Sequence, residues 1–521
     1  LTRDFNFPDI SVSFCQINYY SKTGSKHLQN NFLSYSNVKS AGTTLFIAAL
    51  AISGLYLLAE ILFFLLIDYP FNYYEPEVAI EAWQLSRGET IYNDPTVGPP
   101  AGLYAPVFQL TGAILFQFLP DTLITLRLIS LASLLGIAWI GWKLSNYSSY
   151  SQFLFIALLV FMWHPNVSFF DLQAKPDSLA LLWVLVSLYL AIRWVQTDKL
   201  LFGIWTSLAL ILAFYTKQTM LFVAGALVLA LIIHRNYRKA LLLLLFSSII
   251  GLASWFSFSY LAGDYMYFYL FTLPSTFDIS YGKLANSFYA LLSNPWFLLT
   301  LYLMGRKLIQ KRWHFADSLW LIALILALLI SALTAAKDGG LSNAYLPFYV
   351  LSSIYAGMQV PIDLFLRNVH SKLREAPGII ALTFLIPVLL FTTISINPAQ
   401  YPSRVQNRLQ AHESYELLAD ELNHEDGTVY SPFDNYLGIK INQPVFWSFK
   451  SERDLFYTNK KPKRGYRQRA LDYDHIVTVK IGNYFSPNGL ESILQENNYS
   501  YFKSYQIDQA IEYRWWKKSN L

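Results

Sequence analysis

The 521-residue chain has a single cysteine, Cys15, which excludes an internal disulfide framework and any cysteine-built metal site. Charge is also scarce: Asp, Glu, Lys and Arg supply 14% of the residues, against about 25% in an average soluble protein. No His-Glu-x-x-His sequence, no His/Cys cluster and no glycine-rich loop following a strand is present. Soluble nucleotide chemistry is therefore disfavoured, and no nucleic-acid partner is expected. Residues 1–40 are polar, with Arg3, Lys22, Lys26 and Lys39, and lack the short apolar core and cleavage site of a secretory signal. There is no internal repeat and no low-complexity tract.

What the chain has instead is apolar length: 54% of residues are hydrophobic and 17% aromatic. Crossing a bilayer takes roughly 20 apolar residues in a helix. Candidate spans lie at 44–67, 121–142, 151–164, 177–195, 200–214, 218–233, 240–260, 286–304, 316–335, 344–366 and 378–396. The run 104–119 is apolar but short, and Pro106 and Pro120 bracket it. Basic residues decide its treatment, because Lys and Arg near span ends collect on the cytoplasmic side. With a cytoplasmic N-terminal segment (1–40) and 104–119 kept out of the count, Lys143, Arg193, Lys199, Arg235, Arg238, Lys239, Arg306, Lys307, Lys311, Arg312, Arg367, Lys372 and Arg374 all fall inside. The run 104–119 therefore reads as a juxtamembrane or re-entrant helix in an external loop, 68–120. The expected architecture is an all-α polytopic membrane domain over 41–397 with about eleven transmembrane helices. Residues 398–521 gain charge and alternating patterns such as 473–479, and read as a small extracytoplasmic α/β domain with a core of its own.

The same parity gathers a set of polar residues at the external face. Glu75, Glu77, Glu81, Glu89 and Asp94 follow the first span, Lys175-Pro176-Asp177 opens the fourth, Lys217-Gln218 breaks the fifth from the sixth, and Lys337-Asp338-Gly339-Gly340 follows the ninth. Charges near bilayer depth are expensive and usually line a cavity or a pathway. Plainer explanations compete with that one. Acids suit the first turn of a helix, which accounts for Glu75, Glu77 and, after Pro176, Asp177. A lysine at a span end snorkels to the interface, although on the external side Lys217 and Lys337 run against the positive-inside trend.

The order of these motifs resembles the GT-C superfamily of membrane glycosyltransferases, most closely the branch of protein O-mannosyltransferases, aminoarabinose transferases and related family-39-like enzymes. The resemblance rests on Tyr73-Tyr74-Glu75-Pro76-Glu77 after the first span, the helical stretch to Gly88 and Tyr92, and Pro99-Pro100-Ala101-Gly102-Leu103-Tyr104 against a Pro-Pro-Gly-Leu-Tyr type segment. It continues through Leu126-Arg127-Leu128, Lys175-Pro176-Asp177, Lys217-Gln218-Thr219 and Gly339-Gly340 leading to Asn343, Tyr345 and Pro347. It covers roughly residues 44–350. Two departures stand out: Glu-Pro-Glu replaces an adjacent Asp-Glu pair, and Lys175 replaces the commoner arginine, keeping the charge and losing the bidentate fork.

The resemblance implies a polyprenyl-phosphate sugar donor, membrane lipids around it and a glycan, lipid or protein acceptor. It implies a carboxylate base, Glu75 or Glu77; alignment on Val78 favours Glu75. Lys175, Lys217 and Lys337 would bind the lipid phosphate with Gln218 as a donor, beside Tyr104, while Asp177 would orient a lysine or hold a divalent cation. No cofactor is required otherwise. The competing class is a transporter or flippase of an anionic or lipid-linked substrate; against it, no span interior shows an ionisable pair. Ile, Asn and Tyr content points to a bacterial source and so to the plasma (inner) membrane.

Overall fold

The computed structural model describes residues 25–72, 74–145, 149–163, 171–360, 386, 388–390, 401–444, 455, 466–481, 488–506 and 511–519. Cys15 and most of the expected span 378–396 lie outside these residues. Helix α1 (Ser25–Leu66) is continuous, so the polar leader expected over 1–40 enters the membrane region as helix from Ser25 onward. Its span is carried by Ile47–Leu66. Helix α2 (Glu75–Ser86) starts with Pro76 at its first positions and Glu75 and Glu77 in its first turn. Proline suits that position because its missing N–H would be unpaired there in any case.

Helix α3 (Val107–Leu115) occupies the middle of 104–119 and packs on α2. At nine residues it is too short to cross a bilayer. Then come α4 (Leu123–Leu144), α5 (Tyr150–Phe161), α6 (Asp177–Thr197) and α7 (Leu200–Thr216). Lys217 is extended, with φ −153° and ψ 112°, and Gln218–Leu221 forms a 3-10 turn into α8 (Phe222–Ile233). Helix α9 (Tyr237–Ala262) is followed by a π-turn at Phe268–Thr272 and the short α10 (Leu273–Ser275). The span expected at 286–304 is two helices, α11 (Tyr281–Leu292) and α12 (Pro295–Ile309), bent by 56°. The cause is local. Asn294 Oδ1 accepts the N–H groups of Trp296 and Phe297 at 3.0 and 3.1 Å, and Pro295 opens the new helix. Helices α13 (Phe315–Ala336) and α14 (Leu346–Gln359) follow, and Ile386, Leu389 and Leu390 pack into the same apolar core.

Among the described residues, five helices are long and apolar enough to cross a membrane, or six counting the bent pair. The chain is a multi-pass membrane protein. The expectation of about eleven spans is not reached in these residues, partly because α5, α7 and the run Gln218–Ile233 are shorter apolar helices.

The C-terminal segment holds α15 (Tyr401–Asn423), α16 (Asn435–Lys440), α17 (Tyr466–Ala470), α18 (Asn488–Glu496) and strands β1 (Val429–Tyr430), β2 (His475–Ile481), β3 (Tyr499–Gln506) and β4 (Ile511–Lys518). The sheet order is β1-β2-β4-β3, with β1 parallel to β2 and the other pairs antiparallel. Its core is not wholly its own. One apolar cluster runs from Ile67, Val78 and Phe108 through Tyr269 to Tyr415, Leu437 and Trp515. The first loop and the C-terminal segment therefore fold against each other. Tyr436 Oη donates to Asp68 at 2.7 Å, Lys440 Nζ meets Asp68 at 3.0 Å, and Arg408 meets Glu60 at 3.3 Å.

Candidate active site

Residues far apart in the chain line one cavity of about 540 Å³. Lys175 reaches it from the start of α6, Lys217 and Gln218 from the α7–α8 break, Tyr104 from the first loop, and Lys337, Asp338 and Asn343 from the α13–α14 connection. Its other walls are apolar, with Leu103, Phe214, Leu270, Phe271, Ile330 and Leu333. Five of the residues singled out in the sequence, Tyr104, Lys175, Lys217, Gln218 and Lys337, are thus brought together. Glu75, Glu77 and Asp177 are not in the lining.

The three lysines are held differently. Lys217 Nζ lies 2.5 Å from Asp177 Oδ1, which also accepts from Asn343 Nδ2 at 3.0 Å. Asp177 thus stands behind Lys217 and orients it. Lys175, almost fully buried, places Nζ 3.9 Å from the Tyr74 ring centre, a distance at which an ammonium is attracted to the ring face. Lys337 Nζ donates to the Pro274 carbonyl at 2.9 Å. An Ile279–Lys337 bridge and the Asp338 N–H to Asp278 O bond at 3.0 Å tie that connection to the 274–280 loop.

A divalent cation does not suit Asp177. Its neighbours are an ammonium and an amide donor, and among the described residues no three His, Cys, Asp or Glu side chains gather to hold a metal.

Glu75 departs from its expected role as base. Its Oε1 accepts from Arg127 Nε and the Ala174 N–H, both at 2.9 Å, and its Oε2 from Arg127 Nη2 at 2.7 Å and the Phe71 N–H at 2.9 Å. Glu75 and Arg127 are both completely buried, and Arg127 also donates to the carbonyls of Phe64, Ile67 and Tyr69. A carboxylate so fully occupied has no lone pair free to take a substrate proton. Two ion pairs each have one member in a span: Arg127 of α4 meets Glu75 of α2, and Glu60 of α1 meets Arg408 of α15.

Glu77 is buried beside Glu81, and both lie against Gly102, whose N–H donates to Glu81 Oε1 at 2.5 Å. A β-carbon at position 102 would come within 3.1 to 3.2 Å of the two carboxyl groups. Glycine is what lets the Pro-Pro-Ala-Gly-Leu-Tyr segment close on them. Gln109 Nε2 donates to the other Glu81 oxygen at 2.9 Å. Tyr92 Oη donates to the Tyr104 carbonyl; burial, then the charge of Glu81, pushes its hydroxyl well above the ordinary tyrosine value, so it stays a donor. The loop is further pinned by the Ile91 and Tyr92 N–H groups on the Ala262 carbonyl at 2.9 and 2.7 Å, and by Tyr265 Oη on Asp94 at 2.6 Å.

Gln218 also departs from expectation. Its donor, Nε2, is taken by the Leu103 carbonyl at 2.8 Å and lies 3.5 Å from that of Leu270. What remains is an acceptor.

Arg127 and Asn343 both fall in motifs quoted from the sequence but were given no role there, although Arg127 is a lone charge in an apolar span. A second cavity of about 580 Å³ lies between the first loop and the C-terminal segment, lined by Asp68, Trp83, Arg87, Asp121, Tyr436 and Lys440 among others. Its charges are largely paired with one another.

No family model and no curated protein matches the chain. Among solved structures, ArnT from Cupriavidus metallidurans bound to undecaprenyl phosphate aligns with a TM-score of 0.58 and 12% identity, over 91% of this chain and 97% of that one. The same protein in its apo state aligns with a TM-score of 0.56 and 11% identity, over 90% and 98%. ArnT is an aminoarabinose transferase of the GT-C superfamily. The resemblance drawn from the motifs is met at the level of the fold, along nearly the whole of both chains.

Proposed function

We propose that this protein is a membrane glycosyltransferase that moves a sugar from a polyprenyl-phosphate donor to a hydroxyl-bearing acceptor at the external face. The observation that carries the reading is the convergence of Lys175, Lys217 and Lys337 on one cavity with apolar walls. A lipid phosphate needs that combination, because charge developing on it is best stabilised by preorganised cations in a site of low dielectric. ArnT, which has the same fold, was solved with undecaprenyl phosphate, and this supports the assignment of ligand class.

In the reaction, the acceptor oxygen forms a bond to the anomeric carbon while the bond from that carbon to the phosphate oxygen breaks. The electron pair leaves on the lipid phosphate, facing the lysines, and the acceptor's proton passes to a carboxylate. Asp338 takes that role in our reading, since it is the carboxylate in the cavity wall. Glu77 is the second candidate. Glu75 acts instead as the anchor of Arg127.

The test is transfer from radiolabelled undecaprenyl-phosphate sugars by the purified protein. Asp338→Asn is expected to lower turnover about 100-fold or more, in the range general-base catalysis contributes, with lipid binding retained. Full activity in Asp338→Asn with loss in Glu77→Gln would move the base to Glu77. Uptake into proteoliposomes with no transfer would replace the enzyme reading with a transporter.

A further inference from the structure

The amide of Gln218 is locked in one orientation. Nε2 faces two carbonyl oxygens, Leu103 at 2.8 Å and Leu270 at 3.5 Å; a flip would set oxygen against oxygen, so the hydrogen-bond network itself assigns the two ends. Oε1 is then buried, and among the described residues it has no hydrogen-bond partner. The residue lines the lysine cavity. An unpaired buried acceptor calls for a donor. A phosphate oxygen, itself an acceptor, is the wrong group.

We infer that Gln218 Oε1 reads a hydroxyl or amino group on the sugar carried by the lipid phosphate. This rests on the reading of the cavity as a polyprenyl-phosphate site. Lys217 and Gln218 are consecutive and both line the cavity. The ammonium of Lys217, steadied by Asp177, meets the phosphate, and the neighbouring amide oxygen meets the ring. The cavity thereby has an anion side and a hydroxyl side, and a site built around a buried acceptor discriminates strongly against a sugar lacking the matching donor.

The experiment measures binding to the full chain in nanodiscs of undecaprenyl phosphate and of its conjugates with glucose, galactose, mannose and 4-amino-4-deoxyarabinose. The wild type is expected to bind at least one conjugate more tightly than undecaprenyl phosphate. Gln218→Met is expected to weaken that conjugate about 10- to 100-fold while leaving undecaprenyl phosphate within about twofold. Removing the matching hydroxyl or amine from the sugar should cost the wild type the same factor, a readout that needs no variant. The inference is overturned if no conjugate exceeds undecaprenyl phosphate. It also falls if the variant loses both ligands alike, which marks a scaffold role, or loses neither, which marks a water-filled acceptor. Failure of the wild type to bind undecaprenyl phosphate, with Lys217→Met binding no worse, would instead remove the lipid-phosphate reading beneath it.

Discussion

Glu75 illustrates what a carboxylate's neighbours decide. Its position after the first span and in a helix's first turn made it the expected base, yet Arg127 and two backbone amides occupy all of its acceptor positions. Breaking a buried ion pair by removing one partner costs about 3–5 kcal/mol. Glu75→Gln and Arg127→Met are therefore each expected to lower the melting temperature sharply in detergent, and the double variant Glu75→Met/Arg127→Met to recover much of the loss. A Glu75→Gln protein that melts normally and only loses turnover would return Glu75 to the chemistry. Lys217→Met is expected to weaken undecaprenyl phosphate binding about tenfold or more, the scale of a lost charge-assisted contact of about 1.5–3 kcal/mol; isothermal titration would read it. The lysines were legible because the count of spans set them against the positive-inside trend, where a cation needs a reason. The occupancy of Glu75 was not, since the Ala174 amide lies ninety-nine positions away and no pattern in the chain announces it.

At the scale of elements, helices came through where apolar length spoke alone, as in α4, α6 and α13. Breaks were harder to read. The α11–α12 bend depends on Asn294 capping two amides, a contact that hydrophobicity does not register, and Asn294→Ala is expected to cost about 1 kcal/mol, read as a lower melting temperature. The junction of the first loop with α9 is tighter still. Gly263 has φ +120°, and a β-carbon there would lie 2.4 Å from the Tyr92 carbonyl oxygen. Gly263→Ala is expected to detach the loop, lowering both stability and turnover, with faster proteolysis in the 91–104 segment. In the sheet region, Thr428 donates its N–H and hydroxyl to Asp474 at 2.8 and 2.9 Å, holding that carboxyl below the ordinary aspartate range. Stability from this contact is present above the unfolded value of about 3.9 and is lost as pH falls through the lower folded one. Asp474→Asn should melt earlier than wild type at pH 7, and the difference should vanish in acid.

The molecule as a whole is less divisible than its composition suggests. The charge-rich tail reads as a separate domain, but Tyr436 and Lys440 fasten it to Asp68 at the end of the first loop's approach, and one apolar cluster passes between them. Composition marks a change in character of the chain but not what the tail folds against. Disrupting the joint with Asp68→Ala should loosen the first loop as well as the tail, seen as faster amide exchange in 68–104. Sidedness is a separate question. With Cys15 replaced, single cysteines near Asp94 and Gln310 are expected to label from opposite sides of sealed vesicles; labelling from one side would dismantle the topology.

The Arg127 cluster also bears on how the protein is made. An arginine at the centre of a span costs about 2.5–3.5 kcal/mol to insert unaccompanied, and the partners of Arg127, near the start of α4, all precede it in synthesis. The carbonyls of Phe64, Ile67 and Tyr69 and the carboxylate of Glu75 come first, while the Ala174 amide that completes the Glu75 shell comes later, just ahead of α6. Arg127 therefore enters the chain with its carboxylate partner already made. A nascent chain halted before Ala174 would hold the arginine with its carboxylate shell still open.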